Sequence, residues 1–114
     1  MKTYLLCLLA CFSMQFASAQ KNDIQTDTIL VQGNCNQCKS RIEDAAYVKG
    51  VKHAVWNKET QELIVTYRPS KTNNETIQKN VAANGHRTEK YDAVEKAYQK
   101  LPECCQYKTN NTKH

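Results

Sequence analysis

Residues 31–43, VQGNCNQCKSRIE, contain the feature around which the rest of the sequence can be arranged. Two cysteines, Cys35 and Cys38, are separated by two residues, and they stand between a short apolar run and a pattern typical of an amphipathic helix. Thiols at this spacing can form a disulfide, act as a redox couple or bind a soft metal ion. The spacing by itself favours none of the three.

The apolar pattern predicts alternating strands and helices. Strands are predicted at 27–31, 51–56, 61–67 and 86–91, and helices at 38–48, from Asn73 or Asn74 to Ala83, and from Asp92 to Leu101. The short polar connection at 57–60 predicts a hairpin between the second and third strands. The order β-α-β-β-α-β predicts an α+β, ferredoxin-like fold with a four-stranded antiparallel sheet, both main helices on one face, and a short C-terminal helix and tail.

The first 19 residues have the pattern of a secretory signal peptide. Lys2 precedes an apolar run that continues to Phe16, and Ala17-Ser18-Ala19 fits a small-residue cleavage site. The apolar run is shorter than a membrane-spanning helix usually is, so an uncleaved membrane anchor is the weaker alternative. Lipid attachment at Cys11 is another alternative. The pattern predicts cleavage after Ala19 and a periplasmic or secreted protein without a stable membrane span.

Loss of residues 1–19 leaves one small domain with four of the six cysteines, at Cys35, Cys38, Cys104 and Cys105. Lys2 is lost from the sixteen Lys and Arg, and fifteen against eleven Asp and Glu leave a net charge of +4. Acidic and basic residues are interleaved, which argues against nucleic-acid binding. The chain lacks a Gly-rich phosphate loop, a nucleophile elbow and a Ser/His/Asp set, and we do not expect an enzyme.

The predicted elements place both motif cysteines at one edge of the sheet. Cys35 is expected in the loop after the first strand, and Cys38 in the first turn of the first helix, so their sulfur atoms can converge. The partial positive charge of a helix N-terminus lowers a thiol pKa by stabilising the thiolate. A lowered pKa suits a metal ligand and a redox nucleophile equally well.

In this element order the sequence resembles the heavy-metal-associated domain. That family includes small copper chaperones, the periplasmic mercuric-ion binding protein and the N-terminal modules of metal-transporting ATPases. The resemblance rests on VQGNCNQCKSRIE, on Gly50-Val51 after the helix, on VTYRP at 65–69 and on NGH at 84–86. It covers roughly residues 27–91, and it leaves the helix and Cys-Cys tail at 92–114 outside the domain.

The resemblance implies that Cys35 and Cys38 hold a soft ion, most often Cu(I), in a two-coordinate sulfur site on an exposed loop. Thiolates also select Hg(II) or Zn(II) over hard cations, and both remain possible. The implied function is that of a metal chaperone or scavenger, and a monomer is expected. A metal-transporting or metal-accepting partner with exposed thiolates would take the ion by ligand exchange.

The sequence departs from the family pattern in three places. Gly33 stands where many members carry a methionine beneath the loop, and this predicts a less supported loop. His86 follows Gly85 where members often have an aromatic residue, and it is a candidate third ligand. Cys104 and Cys105 lie outside the family core, where they could add thiolates to the site, bind a separate ion, or form a disulfide.

Two other classes of function remain as alternatives. The first is an extracytoplasmic thiol-disulfide redox protein, which a CxxC motif in an exported chain permits. Against it, Asn34 precedes the motif and no proline lies within it, unlike the pattern of thioredoxin-like proteins. The second is a disulfide-stapled interaction domain, which four cysteines in a small secreted chain permit.

Overall fold

Three strands and three helices are present in residues 23–109, the part of the chain that this computed structural model describes. The strands are β1 (Gln25–Leu30), β2 (Val51–Asn57) and β3 (Glu62–Tyr67), and the helices are α1 (Asn36–Ala46), α2 (Asn74–Ala83) and α3 (Glu95–Gln99), followed by a 3₁₀ turn, Glu103–Cys105. The predicted signal peptide at 1–19 and the lipid-attachment position Cys11 lie outside the described residues. Within 23–109, no helix has the length and apolar character needed to cross a bilayer.

The three strands form one antiparallel sheet in the order β1-β3-β2, with β2 and β3 joined as the predicted hairpin. Leu63 of the central strand lies opposite Ile29 of β1 and Trp56 of β2, and all three side chains are buried. Because side chains alternate along a strand, this register places one row of apolar residues on the inner face of the sheet. Helices α1 and α2 complete the same core with Ile42, Ile77 and Val81.

The helices follow the predicted apolar spacing, with small shifts at their ends. In α1 the predicted inner face is buried, and the helix ends at Ala46 rather than at residue 48. Asn73, one of the two predicted caps, precedes α2, and its side chain accepts the Thr76 N–H at 2.8 Å. Gly50 has a φ of +103° in the turn after α1, which is the left-handed region that glycine tolerates.

The fourth strand predicted at 86–91 is not confirmed. Within the described residues, this segment has one ladder-type pairing with the sheet, an antiparallel bridge between Val31 and Thr88. A side-chain bond adds to it, since the Leu30 N–H donates to the Glu89 carboxylate at 3.0 Å. The Thr88 N–H donates to the Tyr91 carbonyl at 2.9 Å, and the Tyr91 N–H donates to the Thr88 side chain at 3.1 Å. These local bonds close a turn, so the backbone groups that would extend a ladder along β1 are already used.

The C-terminal helix is shorter than the predicted span from Asp92 to Leu101, because α3 has five residues. Asp92 does not cap it. The Asp92 carboxylate instead forms an ion pair with Arg87 at 3.4 Å, and Val94 occupies the cap position without a side-chain hydrogen bond. With no cap and few turns, the helix depends on packing against the rest of the domain.

Residues 95–107, called here the C-terminal segment, return to the core beside the start of α1. The segment is held by buried side chains, which are Tyr98, Leu101, Cys105 and Tyr107. Gly85 permits this close approach, because a Cβ atom there would lie 3.0 Å from the backbone C and O atoms of Ala97. Gly85 also has a φ of +102°, so its lack of a side chain serves both the turn and the packing.

Asp27 connects β1 with β3 and α2. Its carboxylate accepts the Tyr67 hydroxyl at 2.6 Å and the Asn74 side-chain amide at 2.9 Å. Partial burial acts to raise the pKa of Asp27, but hydrogen bonds from Tyr67, Asn74 and Gln25 outweigh it, and the pKa lies below its ordinary value. Burial and the same carboxylate raise the pKa of Tyr67 to about 12.

We predict that Asp27 makes the fold sensitive to acid. Its pKa is lower in the folded chain, so the stabilisation is fully present above the unfolded-state pKa, about 3.9, and is lost as the pH falls through the lower folded-state pKa. Urea unfolding followed from about pH 6 down to about pH 2 should show a smaller loss of stability for Asp27→Asn than for the natural chain. Asp23→Asn, at an exposed position before β1, is the control and should follow the natural chain. The prediction would be contradicted if the free energy of unfolding fell by the same amount with decreasing pH in all three proteins.

Candidate metal centre

The first turn of α1 brings Cys35 and Cys38 together. Cys35 is the N-cap residue, in extended conformation with φ −152°, and its sulfur accepts the Cys38 N–H at 3.4 Å. A cysteine here does what a serine or aspartate side chain commonly does at a helix start. The cap places Cys38 one turn into the helix, and the two Sγ atoms are 3.3 Å apart.

The 3₁₀ turn adds a third sulfur to this pair. Cys105 Sγ lies 3.1 Å from Cys35 Sγ, and the sulfur atoms of Cys35, Cys38 and Cys105 all lie within 4.8 Å of one another. Cys104 Sγ is 3.5 Å from Cys35 Sγ and 4.0 Å from Cys105 Sγ. All four thiols are free. The structure therefore gathers the cysteines of two distant parts of the sequence at one point.

The expected exposure of the cysteine pair is wrong. Cys35 is 3% exposed and Cys38 is fully buried, as is Cys105, whereas Cys104 is partly exposed. The expectation treated the loop as the edge of the domain, but the C-terminal segment packs over it. Cys104 is consequently the sulfur of this cluster that solvent reaches most easily.

Burial and neighbouring thiols change the pKa values of the cluster in different directions. Burial acts to raise the pKa of Cys35, but hydrogen bonds from the Cys105 thiol, the Cys38 backbone and the Cys38 and Cys104 thiols outweigh it and lower that pKa. Burial is the main cause that raises the pKa of Cys38. It also raises the pKa of Cys105, and the neighbouring sulfurs add to the effect. Cys35 is thus the cysteine at which negative charge is best stabilised.

His86 is buried close to the C-terminal segment and outside the sulfur cluster. Its Nδ1 lies 2.8 Å from the Gln32 carbonyl, and its ring stacks on Tyr107 with centroids 5.7 Å apart. A carbonyl only accepts, so Nδ1 carries the proton and Nε2, which has no hydrogen-bond partner among residues 23–109, is the free acceptor. Burial lowers the pKa of His86 and favours this neutral form. In the described residues, the group of converging ligand atoms contains the three cysteines and not this imidazole.

Comparison with known proteins finds relatives by structure. No protein-family model and no curated protein matches the chain. The CopZ metallochaperone is 27% identical over 56% of this chain and 98% of its own, with a TM-score of 0.54. Oxidized MerP from Ralstonia metallidurans CH34 is 29% identical over 59% of this chain and 96% of its own, with a TM-score of 0.56. The apo N-terminal domain of the zinc(II) ATPase ziaa is 35% identical over 58% of this chain and 64% of its own, with a TM-score of 0.50.

The chain carries a heavy-metal-associated-like domain. The aligned regions cover nearly all of CopZ and MerP but little more than half of this chain. The rest of the chain therefore has no counterpart in either protein. Together with the sulfur cluster, they support the binding of a soft metal ion.

The loop of this heavy-metal-associated-like domain is supported by Trp56, contrary to the expectation drawn from Gly33. A Cβ atom at Gly33 would lie 3.0 Å from the Trp56 indole and 3.0 Å from Cys38 Cβ. The indole is buried and donates its N–H to the Val31 carbonyl at 3.0 Å. Gln61 also donates its side-chain amide to the Gly33 carbonyl. The space in which a larger side chain was expected is therefore occupied by an aromatic ring from β2.

We predict that Gly33 and Trp56 are energetically coupled. Gly33→Ala should reduce the free energy of unfolding by about 1–3 kcal/mol, because the added methyl group overpacks the site. The cost should be smaller in a Trp56→Phe background, where the ring at this point is smaller. A double-mutant cycle by urea unfolding measures the coupling. Strictly additive effects would show that the indole does not limit the space at Gly33.

Proposed function

We propose that the protein carries a soft metal ion through Cys35 and Cys38, with Cu(I) as the first candidate and Hg(II) or Zn(II) as the alternatives. The observation that carries the proposal is the pair of sulfurs 3.3 Å apart at the start of α1, within a fold similar to CopZ and MerP. Thiolates are soft ligands and discriminate against hard cations such as Mg²⁺ and Ca²⁺. The positive end of α1 stabilises the negative charge that metal binding requires.

Metal binding at this site replaces the protons of the thiols. The lowered pKa of Cys35 makes its proton the easiest to displace, and binding at Cys38 then releases a second proton from a buried thiol. The positive charge of the ion compensates the negative charge of the buried thiolates, and this offsets the cost of removing the thiolates from water.

Delivery is proposed to proceed by ligand exchange with a thiol-bearing partner, such as a metal-transporting or metal-accepting protein. The partner's thiolate binds the ion while one cysteine of this chain leaves, and no covalent bond of a substrate is made or broken. The protein would thus act as a carrier or scavenger and not as an enzyme. We place this activity in the periplasm or outside the cell, on the strength of the signal-peptide pattern at 1–19.

We predict that the pair is required for metal retention. Native mass spectrometry of the purified protein, reduced under anaerobic conditions and titrated with Cu(I), should show a bound ion in the natural chain and its loss in Cys35→Ser/Cys38→Ser. Lys52→Ser, at an exposed position of β2, is the control and should retain the ion. Competition with Hg(II) and Zn(II) in the same experiment gives the order of preference.

Thiol-disulfide exchange is the second candidate function. It is favoured by the lowered pKa of Cys35 and by three further free thiols around it. The same mass measurement separates the two. A natural chain that retains no metal and has lost two hydrogens per cysteine pair despite the reductant would contradict the carrier proposal and indicate that the cysteines are disulfide staples or a redox couple.

A further inference from the structure

The turn that contains Cys105 is held firmly against the start of α1. The Cys105 N–H donates to the Pro102 carbonyl at 2.8 Å, and the Tyr107 N–H donates to the Cys105 carbonyl at 2.9 Å. The neighbouring Leu101 and Tyr107 are both buried in the core. Cys105 is thus part of the packed domain, although it lies 67 positions after Cys38 in the sequence.

Tyr107 is the anchor of this turn. Its hydroxyl donates to the Gly85 carbonyl at 2.9 Å and accepts the Arg87 N–H at 2.9 Å, while its ring packs on His86 and on Tyr98. These contacts join the C-terminal segment to the loop after α2. The position of Cys105 is consequently determined by contacts other than those between the sulfurs.

Cys105 is the least well satisfied thiol of the sulfur cluster, because Cys38 also donates to the Asn34 side chain at 3.3 Å and Cys35 also accepts the Cys38 N–H. The fully buried Cys105 has only the other cysteine sulfurs as side-chain partners among the contacts that the structure describes, and an S–H group is a weak donor and acceptor. Three convergent sulfurs with little solvent access are, however, a suitable donor set for a soft cation. Each sulfur would then exchange a weak hydrogen bond for a metal–sulfur bond.

We propose that Cys105 is a third ligand, so that Cys35, Cys38 and Cys105 form a three-sulfur site for the ion. This rests on the proposed function and adds to it. Cys104 stays outside the ligand set, because its sulfur does not belong to the group whose members all lie within 4.8 Å of one another. The third ligand comes from the C-terminal segment, so this segment closes the site, and release of the ion to a partner requires Cys105 to leave.

The charge of such a site influences which ion it holds. Two thiolates with Cu(I) carry one net negative charge, whereas three thiolates carry two with Cu(I) and one with Hg(II). Burying the larger charge is more costly, although the α1 N-terminus offsets part of it. Relative to the pair alone, the third sulfur therefore raises the affinity for a divalent thiophilic ion more than that for Cu(I).

X-ray absorption spectroscopy on the purified, reduced protein loaded with Cu(I) and separately with Hg(II) tests the third ligand directly. We expect three sulfur scatterers in the natural chain and two, with shorter metal–sulfur bonds, in Cys105→Ser. Cys104→Ser is the matched control, since it removes the adjacent thiol, and it should retain three. Release to a competing thiol chelator should be faster from Cys105→Ser than from either of the other proteins.

Tyr107→Phe gives an independent test that removes no sulfur. Without its hydroxyl contacts to Gly85 and Arg87, the turn is less firmly held, and we expect a mixture of two- and three-sulfur coordination. Circular dichroism verifies that each variant folds, and Cys105→Ala replaces Cys105→Ser if the serine variant does not.

The outcomes separate this inference from the proposed function. Two sulfur scatterers in the natural chain, unchanged in Cys105→Ser, would overturn the third ligand and leave the two-cysteine carrier intact. An equal loss of scatterers in Cys104→Ser would also overturn it, by including Cys104 in the ligand set. Absence of any bound metal in the natural chain would refute the carrier function itself.

Discussion

The hydrogen bond from the Cys38 N–H to the sulfur of Cys35 is the interaction on which the site depends. It starts α1 and at the same time aims the two thiols at one point. Because a helix N-terminus leaves backbone N–H groups without partners, a side-chain acceptor is needed there in any case. A sulfur in that role joins the folding of the helix to the formation of the site. A ligand for the ion would therefore be in place as soon as the helix has formed.

The C-terminal segment covers this site and buries its cysteines. In an open CxxC loop, a partner's thiolate could approach the ion without moving the protein. Here Cys35 and Cys38 are buried beneath residues 101–107, and only Cys104 is partly exposed. Burial strengthens the retention of a charged ion that is fully coordinated, since water cannot compete for it. In the proposed carrier, the same burial would make movement of the C-terminal segment a condition for transfer of the ion to a partner.

Gly33 shows how a local departure from a family pattern can be explained by a distant residue. Taken alone, a glycine beneath the loop suggests a gap. The Trp56 indole from β2 fills that space, and its N–H satisfies the Val31 carbonyl at the end of the first strand. Cores are close-packed, so a missing side chain at one position is commonly matched by a larger one that reaches the same volume from elsewhere. The loop is consequently supported by the sheet beneath it.

Sequence periodicity determined the three strands of the sheet, the hairpin and the first two helices, because side chains facing a common core repeat with the period of each element. The sequence also indicated that the sulfur atoms of Cys35 and Cys38 can converge, since Cys38 lies in the first turn of the helix that Cys35 precedes. The strand predicted at 86–91 does not form because Thr88 and Tyr91 hydrogen-bond to each other. The alternation of apolar and polar residues gives no sign of these local bonds. Only the tertiary structure decided that Cys105 joins the pair and that the site is covered. That contact depends on how the chain beyond the predicted helix packs through Cys105 and Tyr107, and such long-range packing leaves no regular pattern in the sequence.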